Sequence, residues 1–255
     1  MPEIFASIIK ETDRAIAITG AGGKTSLMFL LAHALRDSGR KVISSTSTRI
    51  QIPTAKQSNT VVLAAEKDFQ VRLERGLRRS RHVTVAHQIL PDNKLEGCTP
   101  DTLKHIFNHS SASAIIIEAD GARGLSLKAP AENEPVVPDW ADVHIAVAAL
   151  DCLGQPLTKT DVFRPELVAT ITGLQLQESI TVQAFAHLAV HPQGMFKSGP
   201  PAARSYCFLN KAENKTTRAM ARQIIAMASH LQGNTFHFWV YGSILRNICI
   251  IRPAQ

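Results

Sequence analysis

No stretch of this sequence approaches the roughly 18–20 consecutive apolar residues that a bilayer crossing needs. Its longest apolar runs, Ala114–Ile117 and Val143–Leu150, are of strand length. The first residues, M-P-E-I-F-A-S-I-I-K-E-T-D-R, carry acids early and lack a basic region followed by an apolar block. The expectation is a cytoplasmic protein without a secretion signal or a membrane segment. Cysteine is scarce and scattered: Cys98, Cys152, Cys207 and Cys249 form no C-x-x-C. Neither a zinc ribbon nor a redox pair is thereby signalled, and the reading is reduced, partly buried thiols. The ten histidines include no H-E-x-x-H spacing. Two tyrosines and two tryptophans are too few, and too far from the basic residues, to form a base-stacking nucleic-acid surface. Internal repeats and low-complexity segments are also lacking.

What is present is a positive excess. The formal net charge is +7, which suits an anionic partner. Arg72, Arg75, Arg78, Arg79 and Arg81 concentrate the excess. Positions 72, 75 and 79 share one helix face, which reads most simply as a solvated surface.

Short apolar runs alternate with amphipathic segments. Arg14–Thr19, Lys41–Ser47, Val61–Ala64, Val83–Ala86, Ala114–Ile117, Val143–Leu150 and Tyr206–Leu209 read as strands, with terminal strands at Phe236–Tyr241 and Leu245–Ile251. Helices are expected at 3–11, Leu27–Leu35, Glu66–Arg81, Pro100–Asn108, Glu166–Thr172, Thr181–Ala189 and Thr216–Leu231. Residues 121–139 and Gly154–Pro165 read as loops, and 191–201 as a flexible connection. This pattern gives an α/β class: one domain over 1–255, a doubly wound and mainly parallel sheet with ligands at the strand C-termini.

The most informative stretch is I-A-I-T-G-A-G-G-K-T-S, Ile16–Ser26. A strand, then Gly20, Ala21, Gly22 and Gly23, then Lys24, Thr25 and Ser26 opening a helix, is an arrangement that holds phosphates. Backbone N–H groups and the helix N-terminus favour an anion, and lysine adds a full charge. The spacing G-x-x-G-K-T is shorter than the common G-x-x-x-x-G-K-[ST] and resembles the loop of Mur-type amide ligases. Thr25, or Ser26 beside it, is the candidate Mg²⁺ ligand from this loop. A second landmark is A-I-I-I-E-A-D-G-A-R-G, where Glu118 and Asp120 end an apolar strand. Acids so placed suit the Mg²⁺ of a phosphate site, and Asp151 is a weaker candidate for the same rim. Arg123 and Lys128 follow as cations able to clamp a phosphate or carboxylate. Finally, F-L-N-K-A-E ends a strand with Asn210, Lys211 and Glu213. It is similar to the N-K-x-D guanine reader of GTPases, with Glu one methylene longer than the usual Asp.

Together the stretches T-G-A-G-G-K-T-S (19–26), S-S-T-S-T-R-I (44–50), I-I-E-A-D-G-A-R-G-L-S-L-K-A-P (116–130), D-C-L-G-Q-P-L (151–157), V-F-R-P-E (162–166) and L-N-K-A-E (209–213) resemble the YqeC family. The resemblance implies a P-loop NTPase-like fold. It also implies an accessory role in selenium-cofactor biosynthesis or in maturing selenium-dependent molybdenum hydroxylases, so the partners expected are a nucleotide and such an enzyme or its maturation proteins. It supplies no reaction. The leading reading is a Mg²⁺-dependent binder, and hydrolase, of ATP or GTP. Lys24, Asp120 and Glu118 would be its catalytic groups, with Thr25 and Asp120 at the metal. Two alternatives stay open: an ATP-dependent ligase or kinase acting on a small acid, and a non-catalytic binder of a pterin nucleotide or partner enzyme.

Overall fold

The computed structural model describes residues 8–231 and 236–254. In chain order the elements are β1 (Ala15–Gly20), α1 (Lys24–Asp37), β2 (Val42–Thr46), β3 (Arg49–Gln51), β4 (Val61–Leu63), α2 (Phe69–Arg79), β5 (His82–Ala86), β6 (Gln88–Ile89), β7 (Lys94–Glu96), α3 (Pro100–Asn108) and β8 (Ala114–Glu118). Then come β9 (Leu127–Lys128), β10 (Val143–Ala149), β11 (Val162–Phe163), α4 (Pro165–Thr172), α5 (Val182–Val190), β12 (Arg204–Asn210), α6 (Lys215–Ala228), β13 (Phe238–Ser243) and β14 (Ile248–Pro253). Nine strands form the main sheet in the order β14-β13-β12-β10-β1-β8-β2-β5-β4. All neighbours are parallel except β13 and β14.

Every residue of β1, β2, β5, β8 and β10 is buried; cover on both faces explains the near-continuous apolar runs of β1, β8 and β10, while the hydroxyl and imidazole groups of β2 and β5 hydrogen-bond one another. Period two still sorts the side chains. Ile16, Ile18, Ala114, Ile116, Val143, Ile145 and Val147 pack with α1 on one face. On the other face Ile115 and Ile117 meet α2 and α3, while Ala146 and Ala148 meet α4, α5 and α6. The arrangement is the mainly parallel, doubly wound α/β sheet expected from the sequence.

Several boundaries differ from the sequence reading. The helix expected from Glu66 starts at Phe69. Within it, Gly76 is required because a Cβ there would lie 2.7 Å from Val83 Cγ2. Arg75, Arg78 and Arg79 on this helix are exposed, and Arg72 pairs with Glu66. The connection at 191–201 is anchored: Met195 and Phe196 join the core, and a Cβ at Gly194 would strike Leu188 O. The helix expected at 3–11 lies partly outside the described residues, and its described end, from Ile8, is turn. The two long loops each contribute a short strand, β9 and β11, which pair in parallel. β3, β7 and β6 form a separate antiparallel sheet. Among the described residues no helix is long and apolar enough to cross a membrane. Cys98, Cys152 and Cys207 are buried free thiols and Cys249 is half-buried.

Candidate functional site

β1 lies at the centre of the sheet, with β8 on one side and β10 on the other. The chain leaving β1 crosses toward β2, whereas the chain leaving β10 crosses toward β12, so the loops at their carboxyl ends diverge. That is the topological switch point where α/β sheets form a ligand crevice. The turn Gly20–Gly23 fills this position. Gly20, Gly22 and Gly23 all have positive φ (91°, 74° and 134°). A Cβ at Gly20 would lie 2.1 Å from Val147 O, so this turn excludes side chains by contact as well as by conformation. Ala21 donates its N–H to the same Val147 carbonyl at 2.7 Å. Gly23 is the N-cap of α1; it offers no side-chain cap, and no acid stands in the first turn. The first-turn N–H groups of a helix have no intrahelical acceptor, and here their end of the helix borders a cavity of about 1090 Å³.

The lining of this cavity includes Gly22, Gly23, Lys24, Thr25, Ser26, Glu118 and Arg123. Lys24 is buried at 5% exposure. Its ammonium donates to Gly20 O at 2.6 Å and stands 3.2 Å from Asp120 Oδ1 and 3.7 Å from Glu118 Oε1. Thr25 Oγ1 donates to Glu118 Oε2 at 2.6 Å. Burial raises the Glu118 carboxyl above its ordinary pKa, against the pull of Lys24 and Thr25. Asp120 Oδ2 accepts the Gly20 N–H at 3.0 Å and faces the Lys128 ammonium at 2.8 Å. Asp120 Oδ1 is buried and receives no hydrogen bond. The hydroxyl-rich stretch supports this arrangement from behind: Thr46 Oγ1 donates to Glu118 O at 3.0 Å, and the Ser47 N–H does the same at 3.0 Å.

Two half-buried residues that the sequence reading did not single out, Glu134 and Arg164, extend the charge chain outward. Lys128 also faces Glu134 Oε2 at 2.9 Å, and Arg164 grips both Glu134 oxygens at 2.6 and 2.9 Å. The β9–β11 pairing makes this possible by setting Phe163 beside Lys128. The Phe163 ring carries three cations: Arg164 at 4.6 Å, Arg123 at 5.3 Å and Lys128 at 5.7 Å. The V-F-R-P-E stretch was the available signal, but nothing in its spacing tells which loop it meets. Burial tends to raise the Glu134 carboxyl, yet hydrogen bonds from Arg164 and Lys128 outweigh that and hold it at about 2. A carboxyl depressed in the folded state stabilises above its unfolded pKa and loses that contribution as pH falls toward the folded value. The wild-type protein is therefore expected to lose stability between about pH 4.5 and 2. Glu134→Gln should flatten this part of the curve, read from urea midpoints at successive pH values.

The N-K-A-E turn lies on another side of the glycine loop. Asn210 Nδ2 donates to Gly22 O at 2.8 Å, and its Oδ1 accepts the Ile244 N–H at 3.2 Å. Lys211, at a positive φ of 64°, pairs with Asp151. Glu213 accepts from Ser243 Oγ at 3.1 Å and stands 3.8 Å from Arg246. Lys24, Thr25, Glu118, Asp120 and Lys128 are thus brought together. Arg123 shares the cavity lining, and Ser26 lies exposed on it. Asn210 touches the loop from behind, while Lys211 and Glu213 stand outside that cavity lining.

The sequence profile of the family described as "YqeC protein" matches residues 16–166. The chain belongs to the YqeC family. It is also 35% identical over 198 residues, 77% of this chain and 75% of the relative, to "Uncharacterized protein YqeC" of Escherichia coli (strain K12). The YqeC profile match contains every member of the charge chain from Lys24 to Arg164. It stops before Asn210, Lys211 and Glu213. The part shared with the family model is therefore the glycine loop, the two acids and the β9–β11 clasp.

Proposed function

We propose that this YqeC-family chain binds a nucleoside triphosphate with Mg²⁺ and hydrolyses it. The observation that carries the reading is the uncapped N-terminus of α1. It follows a turn in which Gly20, Gly22 and Gly23 leave no room for a Cβ, and opens onto a cavity lined by Lys24 and Glu118, with Asp120 buried beside Lys24. Such an end offers backbone donors, a positive dipole and an ammonium to phosphate oxygens. The donor set also suits Mg²⁺. Thr25 and Asp120 present oxygen donors, and Asp120 Oδ1 is a buried oxygen that accepts no hydrogen bond. Mg²⁺ is commonly held by one or two carboxylates plus substrate phosphates, so a larger all-protein cage is not needed. Bound there, Mg²⁺ would neutralise charge on the outer phosphates. Lys24 would turn from the two carboxylates to the phosphates, and Glu118, with its raised pKa, would accept a proton from an attacking water.

Asn210 would brace the loop, and Lys211 and Glu213 would read the base at its far side. The family resemblance supports a cytoplasmic accessory role in selenium-cofactor biosynthesis or in maturing a selenium-dependent molybdenum hydroxylase. A thermal-shift panel of ATP, GTP, CTP and pterin nucleotides with Mg²⁺ tests the reading. A ligand that binds only the native state raises its stability, by about 2.7 kcal/mol at a hundredfold excess over Kd. At least one triphosphate is expected to do so, GTP foremost if the N-K-A-E turn reads guanine. No shift with any triphosphate would overturn the reading.

A further inference from the structure

The phosphate loop occupies only one wall of its cavity. The opposite features belong to the small sheet of β3, β7 and β6. Alternation along β3 buries Ile50 and exposes Arg49 and Gln51, and on β7 it buries Leu95. Ile50 pairs with Leu95 and both join the core, so the sheet is anchored by its apolar face. Its polar face presents Arg49, Gln51 and Lys94 to the cavity. The sheet is also fixed at its end. The Cys98 N–H donates to Thr46 O at 3.0 Å, and a Cβ at Gly97 would strike the same carbonyl. Arg49 is therefore mounted on a rigid wall.

The charges on this face are unequally satisfied. Lys94 pairs with Asp92 at 2.7 Å, and Glu96, opposite Arg49 in register, is held by Gln88 at 2.7 Å. Arg49 has no ion-pair partner among the described residues. Arg123 has none either; it rests over Phe163 with φ 50°, a conformation unfavourable for a residue with a Cβ. Next to it, added Cβ atoms at Gly121 and Gly124 would meet nothing within 4 Å, so this side of the cavity is open. Two guanidinium forks without an ion-pair partner among the described residues thus line one cavity with a loop that already has its own lysine and helix terminus. A guanidinium fork matches the geometry of a carboxylate or phosphate. The volume of about 1090 Å³ also slightly exceeds the roughly 300–1,000 Å³ typical of single-ligand sites.

We infer that Arg49 and Arg123 form a second subsite, which takes an oxyanion-bearing small molecule bound at the same time as the nucleotide. The subsite rests on the nucleotide reading above and extends it: the protein holds two anionic ligands side by side. The test is a calorimetric titration at constant ionic strength. Protein saturated with Mg²⁺ and a non-hydrolysable ATP or GTP analogue is titrated with inorganic phosphate and, separately, with succinate. Wild-type protein is expected to bind at least one of them, phosphate if the natural ligand is a phosphate ester and succinate if it is a carboxylic acid. Arg49→Gln and Arg123→Gln should each weaken that binding about tenfold or more, the value of one charge-assisted contact, and Arg49→Gln should leave the analogue's affinity unchanged. Both side chains are exposed, and a melting curve checks each variant's fold. If neither probe binds the loaded wild type, the subsite is refuted while the nucleotide reading stands. The subsite is equally refuted if Arg49→Gln costs the analogue tenfold, because the arginine then belongs to the nucleotide. If no analogue binds at all, the nucleotide reading fails. Arginine-dependent binding of phosphate or succinate to the nucleotide-free protein would then still uphold the subsite, and its absence would overturn it.

Discussion

Lys24→Ala is expected to weaken Mg²⁺–nucleotide binding by about 10- to 100-fold, the loss of one or more charge-assisted hydrogen bonds in a secluded site, while the protein stays folded. The folded state tolerates the change because the carboxylates have other partners. Glu118 keeps the Thr25 hydroxyl, and its raised pKa allows it to take a proton. Asp120 keeps the Gly20 N–H and the Lys128 ammonium. Equilibrium dialysis with labelled ATP and GTP, paired with a urea melt, separates the two effects. Undiminished binding by a folded Lys24→Ala protein would remove the phosphate assignment.

Asp120→Ala is expected to act in the opposite sense, on the fold first. Asp120 is 2% exposed and stands between two buried ammonium groups, Lys24 at 3.2 Å and Lys128 at 2.8 Å. Its removal leaves an excess of buried positive charge and frees the Gly20 N–H. Breaking a buried pair by deleting one partner typically costs about 3–5 kcal/mol. That range should appear as a lower urea midpoint. The pair also predicts non-additivity: Asp120→Ala with Lys128→Met should cost less than the sum of the single variants, since the second change removes a charge the first has stranded. Strict additivity would show that the two residues do not act as a pair.

The central architecture was legible because burial on both faces leaves a plain mark. Runs such as Ile115–Ile117 do not alternate, and only a sandwiched strand has use for them. The glycine loop was legible for a similar reason, since Gly20 and Gly22 stand where backbone crowds backbone. What stayed hidden depends on pairing at a distance. Nothing local to Glu134 or Arg164 tells that two loops meet as β9 and β11, because a two-residue strand has no periodicity to detect. The small sheet was hidden likewise: β3, β6 and β7 are two or three residues each. The N-K-A-E turn was visible as a motif, but its register against the loop was not. Asn210 is engaged by Gly22 and Ile244, contacts that only the folded chain sets.

The Asn210 amide ties two parts of the chain that no sequence pattern connects. Through one side chain the loop's Gly22 carbonyl is joined to the turn between β13 and β14, and a Cβ at Gly23 would meet both Asn210 and Ile244. The last strand pair, one of whose members runs antiparallel at the sheet's margin, is thereby a keystone behind the glycine loop. The glycine turn thus has a rear abutment supplied by the C-terminal hairpin, more than 200 residues along the chain. The far end of the described chain thereby takes part in the shape of its beginning.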